Sequence, residues 1–150
     1  MTVGINHKAL LMRYVYIFII VIHGLIHLIG WFKAMGWAEN SPISAPISKS
    51  VGGFWALAAI LLVSYAVIYG LKMPESWMLG LAALLLSQTL IIMYWADARY
   101  GTIINVILLI VVLFSYGEWQ FQRQARQAET SLMEGLSKPM HNLSDTAHLP

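Results

Sequence analysis

The sequence YVYIFIIVIHGLIHLIGWF, residues Tyr14–Phe32, lies between Arg13 and Lys33 and indicates the class of protein. It carries no formal charge when its two histidines are neutral. As an α-helix this stretch would be roughly 30 Å long, which matches the thickness of one hydrocarbon core. We therefore predict a membrane-spanning helix at this position.

Three further apolar stretches follow, and we predict a span in each of them: Val51–Leu71, Trp77–Trp95 and Thr102–Trp119. The first of these three has small residues at helical spacing, which suit close helix packing: Gly52, Ala56, Ala59, Ala66 and Gly70. A backbone in lipid must pair its polar groups internally, so each stretch is expected to be helical. The expected fold is an all-α membrane protein, a four-transmembrane-helix bundle over residues 1–120.

Residues 121–150 are more polar than the chain before them. We predict a cytoplasmic helical extension that Pro139 ends, because proline breaks helices, followed by a disordered tail. Asp97–Gly101 is predicted to be a short turn between the third and fourth spans. Residues 37–50 contain Pro42 and Pro46 and are predicted to form a loop.

The overall composition agrees with a membrane protein. Hydrophobic residues make up 59% of the chain and charged residues only 11%, whereas soluble domains average about 25% charged residues. A net charge of +2 without a basic run argues against nucleic acid as a partner. The chain has no cysteine, which excludes disulfides, thiolate metal sites and covalent haem attachment.

The distribution of Lys and Arg predicts the orientation. One side of the predicted bundle collects six of these residues and the other collects three: Lys8, Arg13, Lys72, Arg123, Arg126 and Lys138 against Lys33, Lys49 and Arg99. The positive-inside rule then places the N- and C-termini in the cytoplasm. A cleaved signal peptide ending near Ala34-Met35-Gly36 is the competing interpretation of the first span, but the apolar run is too long for one. Lipid is the expected partner, with a homo-oligomer or larger membrane complex as a further expectation.

His23 and His27 are the residues most informative about function. Their spacing of four places them on one helix face, which Tyr16, Gly30 and Ala34 extend. Polar side chains are costly in lipid, so this face should point into the bundle.

Counting from the outer end of each span places other polar residues near these histidines. Gln88 falls at the depth of His23, and Asn105 falls slightly nearer the outer surface than His27. Asp97 and Arg99 fall at the outer mouth. The sequence thus predicts a polar column that opens outward.

Several uses of this column compete. Its side chains can hydrogen-bond across helices and fix the packing. His23 and His27 can bind a zinc or copper ion, although a third ligand such as Glu39 is hard to place. A b-type haem with both axial ligands from one chain is excluded because no other span has a histidine, which leaves a single-ligand haem or one shared by a dimer. A quinone bound by His and Gln is a further possibility, as is a proton path.

Other residues are assigned ordinary structural uses. The six tryptophans are interpreted as anchors at the membrane interface, and Ser87 as bonding to the preceding helical turn. No nucleophile–base–orienter set is present in the sequence, so we predict no catalytic residues.

Two segments carry a resemblance to a known group of proteins: HGLIHLIGWFKA at residues 23–34 and DARYGTIINV at residues 97–106. Their pattern resembles an uncharacterised bacterial four-span membrane protein family, loosely DoxX-like. The resemblance implies a location in the bacterial inner membrane and one motif set made of His23, His27, Asp97, Gly101 and Asn105. It implies no established reaction. In some relatives a soluble domain follows the spans, and the resemblance therefore implies that the chain is the membrane portion of a longer product.

We therefore expect a non-enzymatic accessory or anchoring bundle. The alternative is a membrane protein that binds a metal, haem or quinone at the histidine pair. A small transporter or proton-coupled subunit is the third class.

Overall fold

The computed structural model describes residues 7–38 and 40–146, with side chains described except at residues 9 and 136–146. These residues form five helices, α1 to α5 in chain order: His7–Ala34, Lys49–Gly70, Ser76–Met93, Trp95–Ala98 and Gly101–Thr146. Within the same residues, α1, α2, α3 and α5 are the four helices long and apolar enough to cross a membrane. The predicted all-α fold with four such helices is confirmed, and it is compatible with a multi-pass membrane protein.

The structure corrects three predicted details. The third span ends at Met93, and Trp95 and Asp97 belong to the short helix α4 rather than to a span and a turn. The prediction that Pro139 ends the last helix is wrong, because α5 extends to Thr146. A helix can continue through proline at the cost of one backbone hydrogen bond. The final four residues of the predicted tail lie outside the described residues.

The chain divides into two units, Met1–Ser115 and Tyr116–Pro150. In the second unit, side chains on exposed turns of α5 bond to each other at helical spacing. The Gln120 amide donates to the Tyr116 hydroxyl at 2.6 Å, and the Gln122 amide donates to the Glu118 carboxylate at 3.4 Å. Such pairs at helical spacing help to stabilise an exposed stretch of helix.

Helix α1 ends in a Schellman motif. Gly36 has a φ of +75°, a left-handed conformation that glycine adopts without steric cost. Its N–H donates to the Lys33 carbonyl, and the Trp37 N–H donates to the Phe32 carbonyl. These are the two bonds of the motif, and they turn the chain from α1 into the 35–48 loop.

The opposite end of the first unit is held by Arg13. Its guanidinium donates to the carbonyl of Tyr69 and, at 3.4 Å, to that of Gly70. These carbonyls belong to the last turn of α2, where a cation also interacts favourably with the helix dipole. The start of α1 and the end of α2 are thereby held together.

Two apolar clusters form the core of the first unit. One includes Tyr16, Ile20 and Leu62, and the other includes Ile43, Trp55 and Ala58. Along α1, α2 and α3 the buried positions recur every three or four residues, as expected for helices that pack along their length. Between the two clusters lies a layer of buried polar side chains, and this layer positions the candidate site.

Candidate functional site

Three helices contribute to the buried polar layer. His23 from α1, Ser87 from α3 and Asn105 from α5 are 4%, 0% and 2% exposed. The His23 Nε2 lies 3.1 Å from the Asn105 Oδ1 and 3.3 Å from the Ser87 Oγ. The Asn105 amide also donates to Ser87 and to the Gln88 Oε1, both at 3.0 Å. Gln88 in turn donates to the Thr102 hydroxyl at 3.3 Å, so the layer is continuous across the helices.

The hydrogen bonds assign the proton of His23. The Asn105 Oδ1 is a carbonyl oxygen, which only accepts, so the His23 Nε2 carries the proton and donates it. The Ser87 hydroxyl donates to the same Oδ1 at 3.1 Å. The two lone pairs of this oxygen are therefore used within the bundle. His23 is thus a structural donor at its Nε2.

His27 lies one helical turn from His23 and makes a different bond. Its Nδ1 lies 3.0 Å from the backbone carbonyl oxygen of His23, so the Nδ1 carries the proton. In the neutral ring the Nε2 is then an acceptor. This atom is buried without a hydrogen-bond partner, in a side chain that is 2% exposed. An unpaired buried acceptor costs free energy, so it marks a place where a partner would bind favourably.

Trp55 lies beside His27 and carries a second unpaired atom. The two ring centroids are 5.2 Å apart, and the Trp55 side chain is 3% exposed. Its Nε1 is a buried donor without a hydrogen-bond partner. Gly30 makes this position possible, because a Cβ there would lie 2.3 Å from the Trp55 Cδ2. Two neighbouring rings, one on α1 and one on α2, therefore carry an unpaired acceptor and an unpaired donor.

Both residues line one cavity. Its volume is about 280 Å³, and most of its remaining wall is apolar: Ile26, Ile29, Pro42, Ile43, Ile91, Ala98, Tyr100, Gly101 and Ile104. His23 and Asp97 also line it. An apolar cavity with a few convergent polar atoms is the usual form of a small-molecule site. An apolar cavity of about 150 Å³ already holds benzene, so this one has room for a substituted single ring.

The 35–48 loop covers one side of the cavity with Pro42 and Ile43. Lys33 donates to the Ile43 carbonyl. The Asp97 carboxylate accepts from the Ser44 N–H at 2.8 Å and from the Ser44 hydroxyl at 2.9 Å. The loop is therefore attached both to the end of α1 and to α4.

The bonds from Ser44 also stabilise the charged form of Asp97. Its pKa lies below the ordinary value because the backbone N–H of Ser44 donates to the carboxylate. The Ser44 hydroxyl acts in the same direction, and the positive charge of Lys33 adds a smaller effect. Asp97 is therefore ionised, and its attachment to the loop intact, throughout the neutral range.

The structure brings together most of the residues that the sequence singled out. His23, Gln88 and Asn105 share one hydrogen-bonded layer, with Asn105 at the level of His23 rather than of His27. Asp97 lies at the cavity and bonds to Ser44 instead of extending the layer. Arg99 is exposed, and its Cζ lies 5.2 Å from the centroid of the Tyr100 ring. Glu39 lies outside the described residues.

Two structural assignments from the sequence are wrong. Ser87 bonds across helices to His23 and Asn105 rather than to its own preceding turn. The available signal was its spacing on α3, since Gly80, Ala83 and Ser87 are small residues at three- and four-residue steps and so share one helix face. Trp55 is a buried neighbour of His27 rather than an interface anchor, and its place four residues before Ala59 was the comparable signal on α2.

The histidine pair does not present two free Nε2 atoms to one point. The Nε2 of His23 is bonded to Asn105, and only that of His27 lacks a partner. Among the described residues no group of three or more His, Asp or Glu side chains could hold a metal ion. A metal at His23 and His27 stays a prediction that would need ligands from elsewhere. Comparison with protein-family models, curated proteins and solved structures finds no match to this chain.

Proposed function

We propose that this chain is a multi-pass protein of the bacterial inner membrane that binds a small, uncharged, largely apolar molecule between its helices. The cavity of about 280 Å³ beside the unpaired His27 Nε2 carries this proposal. Its wall suits an apolar body, and a buried polar atom would orient one end of the ligand. The proposal favours the ligand-binding alternative over a purely anchoring bundle, which has no use for an unpaired acceptor.

The proposed topology places both termini in the cytoplasm and the 35–48 loop outside. It rests on the distribution of Lys and Arg between the two ends of the predicted spans. The end that carries Arg13 and Lys72 has the excess. The ligand would then reach the cavity from the outer side or from the outer leaflet. The resemblance to DoxX-like four-span proteins is in keeping with this location.

The proposal is tested by asking what the protein carries when purified from membranes in mild detergent. Native mass spectrometry followed by extraction should find a lipophilic molecule bound near one per chain. The variant Ile104→Trp places a large ring in the cavity wall and should reduce that occupancy by at least about tenfold, the effect of roughly 1.4 kcal/mol.

The matched control is Ile103→Trp. Ile103 is the neighbouring residue on α5, does not line the cavity and is 61% exposed. This variant adds the same ring and should retain the bound molecule. Equal occupancy in wild type and in Ile104→Trp would overturn the proposal.

A further inference from the structure

Two of the residues that line the cavity, His27 and Trp55, each carry one buried polar atom without a partner, and these atoms define what kind of head group would satisfy them. His27 offers an acceptor at its Nε2, because its Nδ1 proton is bonded to the His23 carbonyl. Trp55 offers a donor at its Nε1. A hydroxyl group both donates and accepts, so its chemistry matches an unpaired acceptor and an unpaired donor. A carbonyl or an ether oxygen only accepts and would leave the His27 Nε2 unpaired.

The surroundings restrict the ligand further. No charged side chain other than Asp97 lines the cavity, so an anion would find no counter-charge there, and a cation would be drawn to the mouth rather than to His27. A Cβ at Gly30 would meet the Cγ, Cδ2 and Cε3 atoms of Trp55. Gly30 therefore packs against the edge of the indole that is opposite the Nε1. The N–H edge faces away from Gly30.

We propose that the cavity recognises a phenol, a hydroxyl group on an apolar ring, through donation to the His27 Nε2 and acceptance from the Trp55 Nε1. This rests on the proposed ligand-binding function and names the ligand class for the same site. A phenol is favoured over an aliphatic alcohol because its O–H is the more acidic donor, and the volume of about 280 Å³ with a wall of Trp55 and isoleucines suits an aromatic ring. The Nδ1 bond to a backbone carbonyl fixes the His27 tautomer in advance, so binding needs no proton rearrangement.

The experiment compares two probes that differ in one hydrogen-bond donor, 4-fluorophenol and 4-fluoroanisole. Fluorine NMR titrations of the purified full chain in micelles report the saturable binding of each probe. Binding that also occurs with Ile104→Trp is partition into the detergent and is subtracted. We expect the phenol to bind at least about tenfold more tightly than the ether, because the ether leaves a buried acceptor unpaired.

Two variants assign the preference to the named atoms. His27→Leu removes the acceptor and should abolish the preference for the phenol, while Trp55→Phe removes only the N–H and should weaken it. In the wild-type protein, ¹⁵N NMR of His27 should show its unprotonated Nε2 shifting when 4-fluorophenol is added. His7, at the start of α1, is exposed and should not shift, which provides an internal control. This readout does not depend on how well either variant folds.

The outcomes separate the two proposals. Saturable binding of both probes with equal affinity would leave the ligand-binding function in place and overturn the phenol assignment. Phenol binding without a shift at His27 would overturn it as well. Absence of saturable binding for both probes would overturn this inference, and loss of the co-purified molecule in Ile104→Trp would then still support a ligand of another class.

Discussion

Asn105 connects side chains from two other helices, His23 on α1 and both Ser87 and Gln88 on α3. Its oxygen accepts from His23 and Ser87, and its amide donates to Ser87 and Gln88. Replacing it by an apolar side chain removes several of these bonds together. The proton of the His23 Nε2 would keep only the longer contact to Ser87, at 3.3 Å.

We expect Asn105→Leu to lower the free energy of unfolding by about 2 kcal/mol, since hydrogen bonds between membrane helices contribute about 0.6 kcal/mol each. Equilibrium unfolding in mixed micelles measures this change. The matched control is Thr89→Val, which removes only an exposed bond to the Leu85 carbonyl and should change the stability by less than about 0.5 kcal/mol. Equal effects from the two substitutions would contradict a stabilising role for the polar layer.

At the scale of single residues, the sequence pointed to His23, His27, Gln88 and Asn105 because polar residues are rare inside apolar spans. Ser87 and Trp55 could not be singled out in the same way. Serine and tryptophan occur in membrane helices for several ordinary reasons, such as back-bonding and interface anchoring. Only the packing of α2 and α3 against α1 shows that these two side chains belong to the site.

The 35–48 loop contributes Pro42 and Ile43 to the wall of the cavity. A loop is held in one conformation by few contacts, so each hydrogen bond contributes more to its local stability than one bond does within a helix. Asp97, on α4, attaches the loop by accepting hydrogen bonds from the backbone N–H and from the hydroxyl of Ser44. Because the pKa of Asp97 lies below its ordinary value, the attachment holds above that value and is lost as the pH falls through the lowered pKa.

We expect Asp97→Asn to loosen this loop at neutral pH, because an amide offers one accepting oxygen and no charge. A fluorophore on Asn40→Cys reports the motion by its anisotropy, since the chain has no other cysteine. With Asp97 intact, the anisotropy should stay constant from pH 7 to about pH 4, the ordinary range of an aspartate, and fall only below it. With Asp97→Asn it should be low and nearly independent of pH. A pH-independent signal in both proteins would show that Asp97 does not hold the loop.

At the scale of the whole molecule, four apolar helices and a polar layer within the first unit favour one arrangement in the membrane. The helices present large apolar side chains outward, such as Phe18, Ile60 and Ile92, each more than half exposed. Such a surface is suited to lipid rather than to water. The proposed orientation follows from charge at the loops rather than from these contacts.

The orientation predicts which loop a reagent outside the membrane can reach. Single cysteines at Asn40 and Glu75, both exposed, report opposite ends of the first unit. In spheroplasts, an impermeant maleimide should label Asn40→Cys at once and Glu75→Cys only after the membrane is opened. The reverse pattern would invert the proposed topology, and equal labelling of both sites would contradict a spanning arrangement.

The sequence by itself determined the number, type and approximate limits of the spans, because hydrophobic length and the need to pair every backbone group leave a helix as the form for each. It also placed His23 and His27 on one inward face, since helical periodicity is a local property. Only the tertiary structure decided that the His23 Nε2 has a hydrogen-bond partner and that the His27 Nε2 has none. That depends on the distances from His23 to Asn105 and from His27 to Trp55, between helices whose relative rotation no local pattern specifies. The cavity has the same origin, since its wall is made of residues from all five helices and from the 35–48 loop.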